Sequence, residues 1–380
     1  MNFEIGGTQA LVQGVARDYA VRCVAPRAAE LDASGAFPHE PLRGLADLGL
    51  MAINVPSDYG GAAAGTVAFA LAVEEIARAC ASTAVLMSVT NMVGETIARY
   101  GTESQKRRYL PQLARGDAGV GSFALSEPSA GSDPAALRTT AAPRSGGWVL
   151  DGRKQWITGG AHAFAILVWA RTAPKESGTR GISCFLVDGR ADGLHVGRPE
   201  DKMGIRASHT VPIVLDGCRI GEEALLGELD GGFKIAMTAL DGGRIGIGAQ
   251  AVGIAGAALD ESVAYARVRE AFGVPIGEHQ AIRFKLADMR VALDASRFLV
   301  LRAAEAKQAG KPFSRDAAIA KLFASESAVS ICNDAVQIHG GYGYVREFAA
   351  ERHLRDARVT TIYEGTSEIQ RTVIARSALG

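Results

Sequence analysis

The hydrophobic pattern changes its period twice along the chain, and this change constrains the fold more than any other feature. Up to about residue 115, apolar residues recur at helical spacing, as in Leu42, Leu45 and Leu48. From about 118 to 228 the apolar runs are short and β-rich, with Gly, Pro and Asp between them. From about 230 the helical spacing returns. The sequence therefore predicts three consecutive domains, which are helical, β and helical.

The predicted boundaries are an N-terminal α domain over 1–116, a middle β domain over 117–229 and a C-terminal helical bundle over 230–380. The β domain is expected to be a small barrel or sandwich. Within these domains, helices are predicted over 8–30, 66–80, 82–100, 279–308 and 314–338, with a last helix from about 366. Thr102 and Gln105 are spaced as a capping box. In WVLDGRKQWI, two apolar runs are predicted to flank an Asp-Gly turn.

Composition excludes several classes of protein. Lys and Arg number 41 and Asp and Glu number 41, so no net field attracts nucleic acid or an anionic membrane. Five scattered cysteines without a CxxC motif argue against a disulfide framework or a zinc site, and no other metal site is expected. No signal peptide and no apolar run of membrane-spanning length are visible. We therefore expect a cytoplasmic protein without membrane insertion.

Several short motifs are ambiguous when each is taken alone. GIGAQA (246–251) matches a dinucleotide fingerprint, but it lies in a helical region, where small residues more often serve close helix packing. FALSEPSAGSD (123–133) is able to present backbone amides and hydroxyls to a ligand, or is a plain strand and turn. Trp156 in QWITGG is able to stack on a flat ligand, or fills the core. Asp241 and Arg244 are spaced as an ordinary surface ion pair on a helix.

The segment TTIYEGTSEIQR (360–371) poses a sharper question. Glu364 lies between a tyrosine and a glycine, directly before a predicted helix, with no Lys or Arg within the five preceding residues. Glu364 is either an ordinary surface turn residue or a base held for a substrate.

Taken together, the motifs resemble one family. FALSEPSAGSD, QWITGG, DKMGIRASHT, LDGGRIGIGAQAVG, REAFGVPI, QIHGGYGY and IYEGTSEIQR occur in the order and spacing of the acyl-CoA dehydrogenases, over nearly the whole chain. Within that family the chain looks most like the short-chain, butyryl-type members. The resemblance implies an N-terminal helical domain, a central β domain and a C-terminal four-helix bundle, in agreement with the pattern above.

The resemblance also implies a cofactor, FAD, and the residues that bind it. One set would lie at the flavin and its phosphates, and consists of Phe123, Leu125, Ser126, Ser132, Trp156, Ile157 and Thr158. A second set would reach the FAD of a neighbouring subunit in a homotetramer built as a dimer of dimers, and consists of Arg269, Phe272, Gln280, Gln337, Gly340 and Gly341. Thr366 and Glu368 would contact the far half of the cofactor.

For the substrate, the resemblance implies an acyl-CoA thioester held by Ser132, Asp241, Arg244 and Gly365. Glu364 matches the catalytic base, which takes the α proton while a hydride leaves the β carbon for flavin N5, giving the trans-2-enoyl-CoA. Burial should raise the pKa of Glu364, whereas the helix N-terminus behind it should lower that pKa, and burial is expected to dominate. An electron-transfer flavoprotein would accept the electrons, as in fatty acid β-oxidation.

Two departures narrow the expected substrate. Isovaleryl-type members carry the base within the stretch that here reads LDGGRIG, where position 243 is Gly. Glutaryl-type members carry an arginine in the 82–94 helix, and ASTAVLMSVTNMVG has none. Branched isovaleryl and dicarboxylic acyl groups are therefore disfavoured.

Three alternatives stay open at this point. They are the same reaction on an acyl-carrier-protein thioester in a biosynthetic pathway, a flavin oxidase or monooxygenase on this fold, and a flavoprotein without catalysis.

Overall fold

The computed structural model describes residues 5–380. The described part of the N-terminal domain contains six α-helices: α1 Gly7–Tyr19, α2 Ala28–Ser34, α3 His39–Asp47, α4 Thr66–Ala79, α5 Ala81–Tyr100 and α6 Glu103–Arg115. Helices α4 and α5 are buried along almost their whole length, which explains their composition of Ala, Val and Leu. The predicted capping box is confirmed, because Thr102 Oγ1 accepts from the Gln105 backbone N–H and the Gln105 side chain accepts from the Thr102 N–H.

The helical segment predicted over 8–30 is helical in the structure, but it is not one regular α-helix. Helix α1 ends at Tyr19, and the chain passes through a π-helical turn, Ala20–Val24, and a 3-10 turn, Ala25–Arg27, before α2 begins. Pro26 has no backbone N–H to donate into the preceding turn, so the chain changes its helical pitch around this residue instead of continuing the α-helix.

The middle domain is built on one mixed sheet with its own core. Its strands are β1 Val120–Ala124, β2 Thr140–Arg144, β3 Gly147–Thr158, β4 Ala163–Arg171, β5 Ile182–Asp188, β6 Leu194–Val196, β7 Thr210–Gly221 and β8 Leu225–Leu226. Their order is β6-β7-β3-β2-β4-β5-β8, and β1 pairs with β4 in parallel. The apolar strands predicted at 165–170, 182–187 and 210–215 lie within β4, β5 and β7.

The predicted Asp-Gly turn inside WVLDGRKQWI is wrong. Asp151 and Gly152 lie within the single strand β3, where the register against β7 shifts between Leu150 and Gly152. Gly152 has φ 154°, and the Asp151 carboxylate accepts from the Gly217 N–H of β7 at 2.7 Å. An Asp-Gly pair therefore forms a bulge here, which lets β3 extend to Thr158 at the candidate site.

A buried lysine ties the end of β3 to β1. Lys154 is fully buried, and its Nζ donates to Glu127 Oε1 at 2.8 Å and to the Trp169 carbonyl at 2.7 Å. Burial alone would raise the pKa of Glu127, but the Lys154 cation and the backbone N–H groups of Arg138 and Thr139 hold that pKa below its ordinary value. The pair fixes the segment after β1 beside the segment that carries Trp156.

The C-terminal domain is helical again. It contains α7 Gly232–Val268, α8 Gln280–Gln308, α9 Ser314–His339, α10 Ala350–Arg358 and α11 Ser367–Leu379, with a short hairpin, β9 Glu270–Ala271 and β10 Val274–Pro275. Helices α7, α8 and α9 pack pairwise, and α11 packs on α9. None of the helices within residues 5–380 combines the length and apolarity that a bilayer crossing requires.

Small residues let α7 pack closely against the N-terminal helices. A Cβ at Gly253 would collide with the Glu74 carbonyl of α4, and one at Gly246 would collide with the Ser88 hydroxyl of α5. GIGAQA therefore lies inside a long buried helix, without the strand that a dinucleotide fingerprint needs before it. The packing interpretation of this motif fits the structure.

Candidate active site

Glu364 lies in a tight turn between the C-terminal bundle helices. A 3-10 turn, Val359–Thr361, precedes it, and Thr366 caps the N-terminus of α11 by accepting from the Ile369 N–H. Glu364 has φ 53°, a left-handed conformation that is uncommon outside glycine, and Gly365 follows with φ 89°. Such a conformation costs about 1 kcal/mol or more, so neighbouring contacts must hold it.

Two side chains hold this turn through its carbonyl groups. Lys321 Nζ, from α9, donates to the Gly365 carbonyl at 2.7 Å. Gln370 Nε2, from α11, donates to the same carbonyl at 2.8 Å and to the Glu364 carbonyl at 3.2 Å. The backbone on both sides of the acid is therefore anchored to two helices.

One oxygen of the Glu364 carboxylate is buried without a hydrogen-bond partner. Glu364 as a residue is half-buried, but its Oε2 is closed off from solvent and has no hydrogen-bond partner in the structure. A Cβ built on Gly243 of α7 would lie 2.6 Å from that oxygen and 3.0 Å from Met92 Sδ of α5. The acid therefore points into the space between α5 and α7, which exists because position 243 has no side chain.

Burial raises the pKa of Glu364 to about 7. The cations of Arg244 on α7 and Lys321 on α9 oppose this shift by favouring the charged form. The predicted dominance of burial agrees with this direction. The two opposing cations were not foreseen from the sequence.

Asp241 and Arg244 form an ion pair, but it does not lie at the surface. Arg244 is only 6% exposed, and its Nη1 donates to Asp241 Oδ1 at 2.5 Å. The Ser314 hydroxyl donates to the same carboxylate oxygen at 3.0 Å. Burial raises the pKa of Asp241, and Arg244 opposes that shift. Arg244 Nε has no partner within residues 5–380, so one donor of this buried cation is left for another group.

A cavity lies beside the acid at the interface of the two helical domains. Its lining includes Gly243, next to the Glu364 oxygen, together with Met92, Phe69 and Ser88. An ion pair between Glu95 and Lys307, 2.7 Å long, lies on its more exposed side. The acid therefore faces a space with an apolar interior and a charged rim.

The structure brings the two predicted β segments together. The Ser126 carbonyl accepts from the Gln155 N–H at 2.9 Å, and the Ser122 hydroxyl donates to the Thr158 carbonyl at 2.8 Å. Trp156 between them has φ 65° and is 60% exposed, so it does not fill the core. Leu125 and Ile157 are buried, Phe123 and Thr158 are half-buried, and Ser132 is exposed in the turn that follows.

The second predicted set lies together on the surface of the C-terminal domain. Its six members are exposed in the single chain: Arg269, Phe272, Gln280, Gln337, Gly340 and Gly341. The Arg269 guanidinium lies 5.5 Å from the ring centroid of Tyr342, which joins the hairpin region to the glycine-rich turn after α9. Phe272 is 97% exposed at the hairpin turn. At the start of α11, Glu368 is exposed, and the Ser367 hydroxyl is buried without a partner.

The chain thus has a β domain between two helical domains, and an acid with one buried oxygen lies beside a cavity at the interface of the helical domains. Models of the acyl-CoA dehydrogenase N-terminal, middle and C-terminal domains match residues 7–117, 122–218 and 230–379. The chain belongs to the acyl-CoA dehydrogenase family. It is accordingly an oxidoreductase and an FAD-dependent flavoprotein.

Individual relatives agree with this membership. The chain is 49% identical to the mitochondrial short-chain specific acyl-CoA dehydrogenase of Bos taurus over 373 residues, covering 98% of this chain and 90% of the bovine one. The butyryl-CoA dehydrogenase structure from Megasphaera elsdenii matches with a TM-score of 0.97 and 41% identity, over 100% of both chains. A chain in the structure described as the electron transferring flavoprotein of Acidaminococcus fermentans matches with a TM-score of 0.98 and 40% identity, also over 100% of both.

The residues present fit FAD in chemical terms. Trp156 and Phe272 both have positive φ, and both present aromatic surface that no core covers. Such rings suit a flat heterocycle, and the unpartnered Ser367 hydroxyl suits a polar chain or phosphate. The roles of the individual residues stay predictions.

Sequence reasoning missed three residues around the acid: Lys321, Gln370 and Met92. Lys321 carried a usable signal. On α9, three buried alanines lie three or four positions away from it, namely Ala317, Ala318 and Ala324. A lysine in such a stripe predicts a buried ammonium group with a specific partner. Gln370 and Met92 carried no comparable signal.

The raised pKa of Glu364 predicts a pH-dependent stability. Between the ordinary value of 4.5 and the folded value of about 7, the folded state binds more protons than the unfolded state, so stability falls as pH rises. Glu364→Gln, which mimics the neutral acid, should be more stable than wild type above pH 7 by up to about 3 kcal/mol. The gain should shrink as the pH falls toward 4.5. The measurement is the free energy of unfolding of both substrate-free proteins across this pH range. A stability gain of Glu364→Gln that grows toward low pH would contradict the raised pKa.

Proposed function

We propose that the protein removes the α proton and the β hydride of an acyl-CoA thioester to give the trans-2-enoyl-CoA, with Glu364 as the base. One observation carries this proposal: a buried carboxylate oxygen without a hydrogen-bond partner faces a cavity beside Gly243 and Met92. An unpaired buried acid is costly for stability, which is the expected cost of a base kept free for a substrate.

The protonation chemistry of the acid suits this role. With a pKa of about 7, Glu364 is ionised in a large fraction of molecules at neutral pH, yet it is more basic than an ordinary glutamate. FAD, when bound, supplies the acceptor for the hydride. The carboxylate takes the proton from the α carbon. The surrounding helices exclude water from the carboxylate and the α carbon during this transfer.

The backbone of the same residue offers a second function. The Glu364 N–H donates no hydrogen bond to any residue within 5–380. It is therefore free to donate to the thioester oxygen, where negative charge develops as the proton leaves. One turn would then supply both the base and a donor to the oxyanion, and its left-handed conformation orients the two groups.

Binding residues are proposed on the same basis. We assign Asp241, Arg244, Ser132 and Gly365 to the CoA thioester, with the free Arg244 Nε as a donor. We assign the first FAD contacts to the β segments (Phe123, Leu125, Ser126, Ser132, Trp156, Ile157 and Thr158) and to Thr366 and Glu368. The exposed set around Arg269 would contact the FAD of a neighbouring subunit in a homotetramer.

A short acyl chain is the substrate we favour. Phe69 and Ser88 line the cavity next to Glu364 and also lie against Gly246, where α5 and α7 pack closely and restrict the space. This agrees with the short-chain and butyryl-CoA specificities in the names of the relatives. We propose β-oxidation as the pathway and an electron-transfer flavoprotein as the acceptor. A cytoplasmic location stays a prediction.

Two other functions share this site. The same reaction on an acyl-carrier-protein thioester would show activity on the carrier-bound form and little on free CoA esters. An oxidase or monooxygenase would consume O₂ with substrate in the absence of another acceptor. Anaerobic titration of the yellow protein with C4 to C16 acyl-CoAs, followed by flavin bleaching, tests the main proposal, and bleaching is expected to be most complete with the shortest chains.

Glu364→Gln should keep bound FAD but lose flavin reduction by acyl-CoA by about 10²–10⁴-fold, because Gln is nearly isosteric and cannot accept a proton. The measurement is anaerobic stopped-flow reduction with butyryl-CoA. Reduction by dithionite is the control, since it needs no base and should be unchanged. Near wild-type reduction by substrate would remove Glu364 from the mechanism.

Gly243→Glu in a Glu364→Gly background should partly restore dehydrogenation. A side chain at position 243 starts 2.6 Å from the Glu364 oxygen, so its carboxylate extends into the space that Glu364→Gly empties. Recovery should be partial, because a misplacement of about 1 Å can cost about 10²-fold. Rates on C4 and C8 acyl-CoA decide it. The matched control is Gly243→Gln in the same background, which should restore nothing.

Arg269→Ala should lower FAD content and weaken assembly together, if Arg269 reaches the pyrophosphate of a neighbouring subunit. Loss of a charged partner to a buried anion costs roughly 2–5 kcal/mol. Flavin absorbance and light scattering on the same sample measure both. Arg267→Ala is the matched control, because Arg267 is equally exposed near the end of α7. A mutant that stays tetrameric with full flavin would show that Arg269 is a surface residue without a role in FAD binding or assembly.

A further inference from the structure

Lys321 is a charged residue that the reaction above does not use directly. It lies on α9, is fully buried, and has the Gly365 carbonyl as the hydrogen-bond partner of its ammonium group within the described residues, at 2.7 Å. Burying an ammonium group with so few partners costs several kcal/mol, and an apolar side chain of similar size would pack here without that cost. The charge therefore requires a reason other than packing.

The reason lies in what the ammonium group contacts. Gly365 follows the base, and its carbonyl belongs to the left-handed turn that orients the Glu364 side chain. Gln370 holds the same carbonyl from α11. The turn is thus clamped from two helices, and of the two clamps only Lys321 carries a charge.

Two of the three elements around Glu364 supply a charged group. Arg244 on α7 and Lys321 on α9 are the cations that favour its ionised form. From α5 the contact is the uncharged Met92, and the neighbouring Tyr363 hydroxyl is engaged by Gln250. Arg244 already neutralises Asp241 through their ion pair. Lys321 is therefore the cation near the base without an ion-pair partner of its own among the described residues.

Burial and nearby charges also shift the pKa of Lys321. Burial lowers the pKa of Lys321 to about 8, and Glu364 opposes that shift, while Arg244 lowers the pKa further and the more distant Glu326 and Glu368 raise it. Each member of the Lys321–Glu364 pair thus favours the charged form of the other.

We propose that Lys321 is a positioning residue for the base: its buried ammonium group clamps the Glu364–Gly365 turn and places a positive charge near the Glu364 carboxylate. The inference deepens the proposed function and rests on it. It assigns two separable effects to one side chain, a geometric effect shared with Gln370 and an electrostatic effect that Gln370 lacks.

The test compares Lys321→Met with Gln370→Met in the FAD-loaded enzyme. Flavin reduction by butyryl-CoA is followed anaerobically from about pH 5.5 to pH 9. Lys321→Met should move the acid limb of the rate profile upward by about one pH unit or more, because Lys321 favours the ionised form of Glu364 and loss of a nearby cation shifts the pKa of a carboxylate by about 1–3 units. At pH 6 this alone lowers the rate about tenfold. Gln370→Met should lower the rate by one factor at every pH and leave the limb in place.

The outcomes distinguish a failure of this inference from a failure of the proposed function. If Glu364→Gln abolishes reduction while Lys321→Met keeps the wild-type acid limb, the proposed function stands and the role of Lys321 is overturned. If Glu364→Gln reduces at the wild-type rate, both are overturned.

A second pair of variants covers the case in which Lys321→Met does not retain FAD. Lys321→Arg keeps the charge, and Lys321→Gln keeps a hydrogen-bond donor without it. An acid limb near the wild-type position in the arginine variant, with an upward shift in the glutamine variant, supports the proposal. Equal limbs in these two variants overturn it.

Discussion

The structure depends on one constraint, which is the burial of a carboxylate oxygen that no protein group satisfies. Glu364 Oε2 has no hydrogen-bond partner, and burial raises the pKa of the acid to about 7. Water would relieve this strain if it could reach the oxygen, so the helices around it must stay close. The left-handed turn, the two carbonyl clamps and the nearby cations all serve to keep this group in place and still partly ionised.

Close packing of α7 is what makes that burial possible. Gly246 and Gly253 bring the helix against α5 and α4, and Gly243 lets the acid approach the same surface. A sequence of small residues thus controls both the depth of the cavity and the environment of the acid. The core and the site are not separate parts of this molecule, because the same helix spacing determines both.

The sequence predicted the order of domains and most helices, because the spacing of apolar residues is a local property that can be read from the sequence. Local signals failed where tertiary contacts determine the backbone conformation. Asp151-Gly152 has turn chemistry, but pairing of β3 with β7 absorbs it as a bulge. The helix predicted over 8–30 changes its pitch around Pro26. At the site, Glu364 was found through resemblance. Lys321 was missed because its effect depends on the approach of α9 to a turn far along the chain.

Gly243 has a consequence for how such a site can change over time. A carboxylate at 243 and one at 364 would compete for the same space, because a Cβ at position 243 would lie only 2.6 Å from Glu364 Oε2. Two acids so close cannot both ionise, so one would be held as a neutral carboxylic acid and would be inert as a base. A lineage that moves the acid from the turn before α11 to helix α7 must therefore pass through a form with no acid or with two acids, one of them neutral. The absence of a side chain at position 243 therefore indicates that the acid of this site is at position 364.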